Sequence, residues 1–306
     1  MRADVGEWLV RRTYALADLP PVDALAAGDR PTVGLVVPAL DEAATVGDVV
    51  GAVVQHPATA ALLSEVVVVD GGSTDGTPEL AAAAGATVLH AADLAPDHPQ
   101  GGKGGAVWRA LQATTSDVLV VVDADLAPFD PRWVVALAAP LLRDPTLHLV
   151  KAATERPLLV GEVLHPRAGG RVTELVARPL LNALWPELAG VVQPLSGELA
   201  ARRDLLERLP FATGYGLEIG MLVDALAAVG LDGLGQVDLG ERRHRHQSDQ
   251  ALGRMASAVL RTALARAGLP HLPEALVQFT DAGVTSVDVP LDELPPVASL
   301  RAAARS

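Results

Sequence analysis

Short apolar stretches rich in Val and Leu recur from residue 32 onward, separated by longer Ala-rich stretches of helical period. TVGLVV (32–37), EVVVVD (65–70), ATVLH (86–90) and DVLVVVD (117–123) read as strands. The last contains an unbroken run, Val118 to Val122, that suits a strand buried on both faces. EAATVGDVVGAVVQ, TPELAAAAG and GGAVWRALQATT, lying between the strands, predict helices. The alternation predicts βαβ units with right-handed crossovers and a mostly parallel sheet flanked by helices, an α/β fold.

After Pro131 the pattern loosens. LHLVKAAT predicts a further strand, and RVTELVARPLLNALW a helix kinked or broken at Pro179. LAGVVQPLSGELAARRDLLERL mixes extended segments with a short helix. GYGLEIGMLVDALAAVG predicts a helix entered through Gly214 and Gly216. LGQVDLGERRHRHQ predicts a strand emptying into a basic loop, followed by the helix ALGRMASAVLRTALARAG. The tail from Pro270 is expected to be less regular. Without an internal repeat or long linker, the chain is expected to form one continuous unit. Its parts are an N-terminal extension (1–30), a first half (31–130), a second half (131–268) and a C-terminal tail (269–306).

Composition narrows the function classes. The 306 residues carry a formal charge of −13, which argues against nucleic-acid binding, since phosphate-backbone affinity needs a basic surface. No cysteine is present, so disulfides and thiolate chemistry are excluded. No apolar run approaches the roughly 18 residues needed to span a bilayer, so no membrane partner is expected. The start, MRADVGEW, lacks the apolar core of a signal peptide, and a cytoplasmic location is expected.

The chemistry collects at the predicted strand ends, where ligands of open α/β sheets bind. Asp123 and Asp125 follow the fourth strand. They could hold a hard divalent cation carried by a substrate's phosphates, or only cap the following turn. Asp70 opens VVVDGGSTDGT, and an acid after a second strand suits a ribose; an ordinary strand-to-helix turn capped by Thr77 is the alternative. PALDEA stands after the first strand in place of G-x-G-x-x-G, against a nicotinamide or flavin dehydrogenase. PQGGKGGAVWRAL is not a Walker loop, because Asp97 and Gly104 stand where Gly and Ser or Thr are required. Lys103 beside flexible glycines at a helix start remains a diphosphate contact or an exposed helix-end lysine.

Taken in order, PALDEAAT, VVDGGSTDGT, GGKGGAVWRAL and VVVDADL resemble the nucleotide-sugar-binding half of a GT-A (Rossmann-like) glycosyltransferase. The segments GGRVTELVARPLLNALWPEL, VVQPLSGELAARRDLL, PFATGYGLEIGMLVDAL and QVDLGERRHRH are similar to those of actinobacterial glucosyl-3-phosphoglycerate synthases. The likeness extends over roughly residues 31–268. It implies a metal-dependent, retaining hexosyltransferase that moves glucose from UDP-glucose to 3-phosphoglycerate, assisted by Mg2+ or by Mn2+ or Co2+, and a homodimer. In this resemblance 31–130 is the nucleotide-sugar-binding half and 131–268 the acceptor-binding half.

Carried over by position, the resemblance places the donor near Pro38, Ala39, Leu40, Glu42, Asp70, Gly71, Lys103, Asp123 and Ala124. It gives Asp125 and His244 as metal ligands and Gly170, Arg171, Val172, Thr173 and His246 as acceptor contacts. Glu218 lies close to the transferred sugar and, with Asp125, carries the catalytic assignment. The chain departs from the pattern at Gly71, where Ser is usual, and at Ser196 in PLSGE, where Gly is frequent. Thr154 and Glu155 replace aromatic and basic residues, and His246 and Gln247 stand in a loop that commonly reads H-R-N-R. These last differences fall near the acceptor end, so donor use is better supported than acceptor identity. A mannosyl or other transferase acting on glycerate or another small acid, and a sugar-phosphate nucleotidyltransferase, are the alternatives.

Overall fold

The computed structural model describes residues 2–19, 24–25, 30–155, 158–160, 163–165, 170–241, 248–269, 273–280 and 283–303. The strands are β1 (Thr13–Ala15), β2 (Val33–Ala39), β3 (Leu63–Asp70), β4 (Thr87–His90), β5 (Val118–Val121), β6 (Leu149–Glu155), β7 (Leu158–Val160) and β8 (Val163–His165). After them come β9 (Leu199–Arg202), β10 (Phe211–Ala212), β11 (Leu234–Glu241), β12 (Ala275–Thr280), β13 (Gly283–Asp288) and β14 (Glu293–Leu294). Eight strands form one sheet in the order β1-β11-β6-β9-β5-β2-β3-β4. All neighbours run parallel except β9, which is antiparallel to both β5 and β6.

The apolar runs take this form because both sheet faces are covered. Along β2 and β5, Val36, Leu119 and Val121 join one buried cluster, while Leu35, Val37, Val118 and Val120 join the other. Period-2 alternation thus serves two cores, which is why the runs show no polar face. The helices Gly102–Ala113 and Leu217–Val229 pack on the first side, and Val46–Gln55 and Arg132–Arg143 on the second. Val122 extends β5 by one bond, its N–H reaching the Val36 carbonyl at 3.2 Å. Asp123 and Asp125 therefore emerge beside the ends of β2 and β3.

One region takes a form that the expectation left open, and two differ from it. PLSGELAAR supplies β9, wedged between β5 and β6, because Arg202 and Arg203 anchor it to carbonyls on both sides, Leu147 at 2.7 Å and Ser116 at 2.6 Å. Pro179 does not break its segment. A π-helical turn, Thr173–Ala177, passes directly into the helix Arg178–Leu184, and the missing Pro179 N–H falls at the changeover. The tail, expected to be less regular, holds the hairpin β12–β13, the strand β14 paired with β10, and the helix Val297–Ala303. At the other end, the helix Ala3–Arg12 buries Trp8, whose indole N–H donates to the Leu234 carbonyl at 2.9 Å, and β1 forms the sheet edge beside β11.

Candidate active site

The first wall of the site is a pair of strand-end turns that hold each other. Asp41, at φ 54, adopts the left-handed conformation that L-residues avoid. Its N–H donates to Ser73 Oγ at 2.9 Å, and its carboxylate accepts from the Thr74 N–H at 2.9 Å. The Glu42 and Ala43 N–H groups reach Thr77 Oγ1 at 2.8 Å and Asp75 at 3.0 Å. The hydroxyls and acids of GGSTDGT thus stitch it to PALDEA, a structural duty the sequence does not distinguish from ligand binding. Asp70 is buried, and its carboxylate accepts from the N–H groups of Gly72 at 3.1 Å and Ser73 at 3.2 Å. Burial opposes its charge, but these bonds and His90 prevail and hold its pKa below the usual carboxylate value.

The second wall is GGKGG. Gly101 and Gly102 have φ of 69 and 57 and turn the chain into the helix Gly102–Ala113. The next two glycines answer to close packing. A Cβ on Gly104 would lie 2.4 Å from the Ala212 carbonyl oxygen, and one on Gly105 would lie 1.6 Å from the Gln100 carbonyl oxygen. Both obstacles are backbone, so Gly105→Ala is expected to cost about 3 kcal/mol or more of stability. Urea unfolding reads it directly, and a loss below about 1 kcal/mol would show that the turn can shift at little cost.

Between these glycines Lys103 reaches the floor. Its ammonium contacts the Asp123 carboxylate, donates to the Gly197 carbonyl at 3.0 Å and stands 3.5 Å from Glu218 Oε1. Burial opposes its charge, yet Asp123, Glu218 and Glu198 together raise its pKa above the ordinary lysine value. Lys103 is thus a fixed cation at physiological pH and neither a general acid nor a base. The floor is built in the same manner below. Lys151, buried, donates to the Ser196 carbonyl at 2.5 Å, and the Ser196 hydroxyl donates to Glu198 at 2.8 Å. Two lysines therefore grip consecutive carbonyls of PLSGE.

These walls enclose a cleft of about 510 Å³ lined by Pro38, Ala39, Leu40, Glu42, Gly71, Lys103, Asp123, Ala124 and Asp125, among others. The structure so gathers the residues of the predicted donor site, with Asp70 buried just behind Gly71. Tyr215, half-exposed, also lines the cleft and was not foreseen. Its one signal is a lone aromatic in a glycine pair, GYG, just before Glu218. Glu198 was missed because a buried acid just before a short strand has no sequence signature. Gly197 was missed because close approach is a property of the fold.

The remaining predicted residues lie apart from this cleft or outside the described residues. Gly170, at φ 77, leads into the turn where Val172 and Thr173 are buried, and Arg171 pairs with Asp249 at 2.7 Å at the start of the helix Asp249–Arg266. His244, His246 and Gln247 lie outside the described residues. Among the described residues no group of three or more His, Cys, Asp or Glu could hold a metal ion. Asp125 is an oxygen donor at the cleft, as a hard divalent ion requires, and a diphosphate would add further oxygens. Among the described residues the donor chemistry fits such an ion shared between protein and substrate.

The Glycosyl transferase family 2 profile matches residues 35–158. Glucosyl-3-phosphoglycerate synthase of Mycolicibacterium smegmatis is 44% identical over 301 residues, covering 96% of this chain and 98% of its own. The crystal structure of the Mycobacterium tuberculosis glucosyl-3-phosphoglycerate synthase with Mn2+, UDP-glucose and phosphoglyceric acid superposes with a TM-score of 0.83 at 41% identity, covering 95% of this chain and 99% of that one. Mannosyl-3-phosphoglycerate synthase from Rubrobacter xylanophilus gives a TM-score of 0.85 at 38% identity, covering 96% and 99%. With this identity running from end to end and the strand-end motifs gathered in one cleft, the chain belongs to the glucosyl-3-phosphoglycerate synthase family of GT-A glycosyltransferases.

Proposed function

We infer that this protein transfers glucose from UDP-glucose to 3-phosphoglycerate, giving glucosyl-3-phosphoglycerate, with retention at the anomeric carbon. The observation that carries the reading is the Lys103, Asp123, Glu218 cluster at the floor of a cleft walled by the sugar-nucleotide motifs. The uridine lies against Pro38, Ala39, Leu40 and Glu42, with Asp70 and Gly71 behind it. Asp123 and Glu218, held by the Lys103 cation, accept hydrogen bonds from sugar hydroxyls. A divalent ion, Mg2+ or Mn2+, held by Asp125 and His244, supplies Lewis-acid stabilisation of the departing diphosphate.

Glu218 is already engaged by an ammonium at 3.5 Å, which favours it as a hydrogen-bond acceptor over a covalent nucleophile. The acceptor hydroxyl then attacks from the face that UDP leaves. The new C1–O bond forms as the C1–O bond to the diphosphate breaks, and the hydroxyl proton passes to a diphosphate oxygen. Gly170, Arg171, Val172, Thr173 and His246 hold the acceptor; the Arg171 guanidinium suits its carboxylate or phosphate. Steady-state kinetics with 3-phosphoglycerate and with glycerate test this. The phosphorylated acceptor is expected to be preferred by at least about tenfold in kcat/KM, from the loss of a charge-assisted hydrogen bond. Equal values would remove phosphate from the recognition.

The likeness to a mannosyl-3-phosphoglycerate synthase favours, as a second reading, mannosyl transfer to the same acceptor. We further propose a cytoplasmic homodimer; no helix among the described residues is long and apolar enough to cross a membrane. Support for the dimer comes from the hairpin β12–β13. Phe279 is 81% exposed, and Val277 and Val284 share its face, Val284 directly opposite it. The opposite face of the hairpin packs on the helix Asp249–Arg266, where Gln278 donates to the Gln250 carbonyl at 3.1 Å, so the apolar face turns outward, where a second copy would cover it. Light scattering is expected to give a dimer for the native chain and a monomer for Phe279→Asp. A native monomer, or a dimer in both, would contradict this assignment.

A further inference from the structure

Arg109, on the helix Gly102–Ala113, is 1% exposed, and among the described residues none of its hydrogen-bond partners is a carboxylate. Its guanidinium donates instead to six carbonyls. Nε reaches Leu94 at 2.6 Å; Nη1 reaches Gln100 at 3.1 Å and Gly105 at 3.3 Å; Nη2 reaches Ala95 at 3.3 Å, His98 at 2.9 Å and Pro99 at 3.2 Å. Five of the six belong to one loop, residues 91–101, whose Ala91 and Gln100 line the cleft. Burial depresses the pKa of this guanidinium, so a cation here is costly. The loop carries a second cost. Ala95 stands at φ 57, a left-handed conformation strained for a residue with a Cβ. Strain of this kind persists only where the surroundings over-determine it, and the Arg109 fork on Ala95 is such a constraint. The His98 ring, stacked at a tilt on Trp108 with centroids 4.9 Å apart, closes the loop from the other end.

We propose that Arg109 is a positioning residue for the donor nucleotide, its buried fork fixing the 91–101 loop so that Gln100 and the Gly101–Lys103 turn meet the nucleotide diphosphate in one preset arrangement. The inference rests on the transferase reading given above. An ammonium has three N–H donors on one atom and cannot span six carbonyls, so Arg109→Lys keeps the charge and loses the arrangement.

The test is calorimetry of UDP with Mg2+ on the native chain, Arg109→Lys and Arg109→Gln, with KM measured for donor and acceptor and melting followed by circular dichroism. Both variants are expected to bind UDP at least about tenfold more weakly, with donor KM raised in step and acceptor KM within about twofold of native. Native UDP affinity in Arg109→Lys would overturn the proposal, as would equal rises in both KM values, the mark of a general structural role. Should neither variant fold, hydrogen exchange of the native protein decides. Amides within 92–101 must gain protection on adding UDP and Mg2+, and no gain overturns the proposal. If the native chain binds no UDP, the transferase reading fails and this inference with it; native binding with an indifferent Arg109→Lys strikes the inference alone.

Discussion

Replacing Asp125 with alanine is expected to abolish metal-dependent UDP binding and to lower transfer by about three orders of magnitude. Asp125 lines the cleft just past β5, and Asp123, two residues before it, contacts the Lys103 ammonium. In the reading proposed above the two carboxylates of the D-x-D have different work, Asp123 beside the protein's own cation and Asp125 on the metal carried with the diphosphate. Losing Asp125 removes a protein oxygen from an ion that neutralises the leaving group, an interaction worth most when charge develops there. Calorimetry of UDP with and without Mg2+ on native and variant chains checks it. Equal, metal-independent affinity in both would show that Asp125 only caps its turn.

Gly197→Ala is expected to cost about two orders of magnitude in kcat/KM with little change in melting temperature. A Cβ at this position would stand 2.2 Å from Lys103 Nζ and 2.5 Å from Asp123 Oδ2. Both obstacles are the ends of side chains, so they can move aside and the chain still folds. Their movement, however, separates the ion pair and pulls Lys103 from the Gly197 carbonyl and from Glu218. The contrast with Gly105, where the obstacle is backbone, is the point of the experiment: one glycine protects the fold and the other protects the site. Turnover at the native level would show that the Lys103–Asp123 contact is dispensable. A large fall in melting temperature would show that Gly197 serves the fold instead.

Much of the sheet was legible because burial on both faces leaves a plain signal. The runs TVGLVV, EVVVVD and DVLVVVD fall on the strands Val33–Ala39, Leu63–Asp70 and Val118–Val121, and the motifs that follow them share one cleft. The extended character of PLSGELAAR was legible, but its place in the sheet as β9 was not, since an antiparallel strand four residues long, entered from a proline-containing loop, has neither length nor period. The tail misled for a related reason. β14 has two residues and is defined by its partner β10, and the Trp108 indole N–H bonding the Pro295 carbonyl at 2.7 Å is a contact between distant segments. At the site, motif order led to residues that share one cleft, but not to which hydroxyls and acids brace the turns. Ser73, Asp75 and Thr77 accept from backbone N–H groups and the Thr74 N–H donates to the Asp41 carboxylate, a use that composition cannot separate from nucleotide contact. Glu198 and Tyr215 entered through tertiary approach alone.

The pairing of one donor with one acceptor is decided by a matrix of separate reactions, UDP-glucose or a nucleoside diphosphate mannose against 3-phosphoglycerate, glycerate or buffer, each with Mg2+ and with chelator, read by mass spectrometry. A hexosyl-phosphoglycerate product is expected from UDP-glucose with 3-phosphoglycerate and Mg2+, little from the mannose donor, and none with chelator. Product formed from the mannose donor in preference, or an unphosphorylated acceptor glycosylated equally well, or no transfer to either acid, would contradict it.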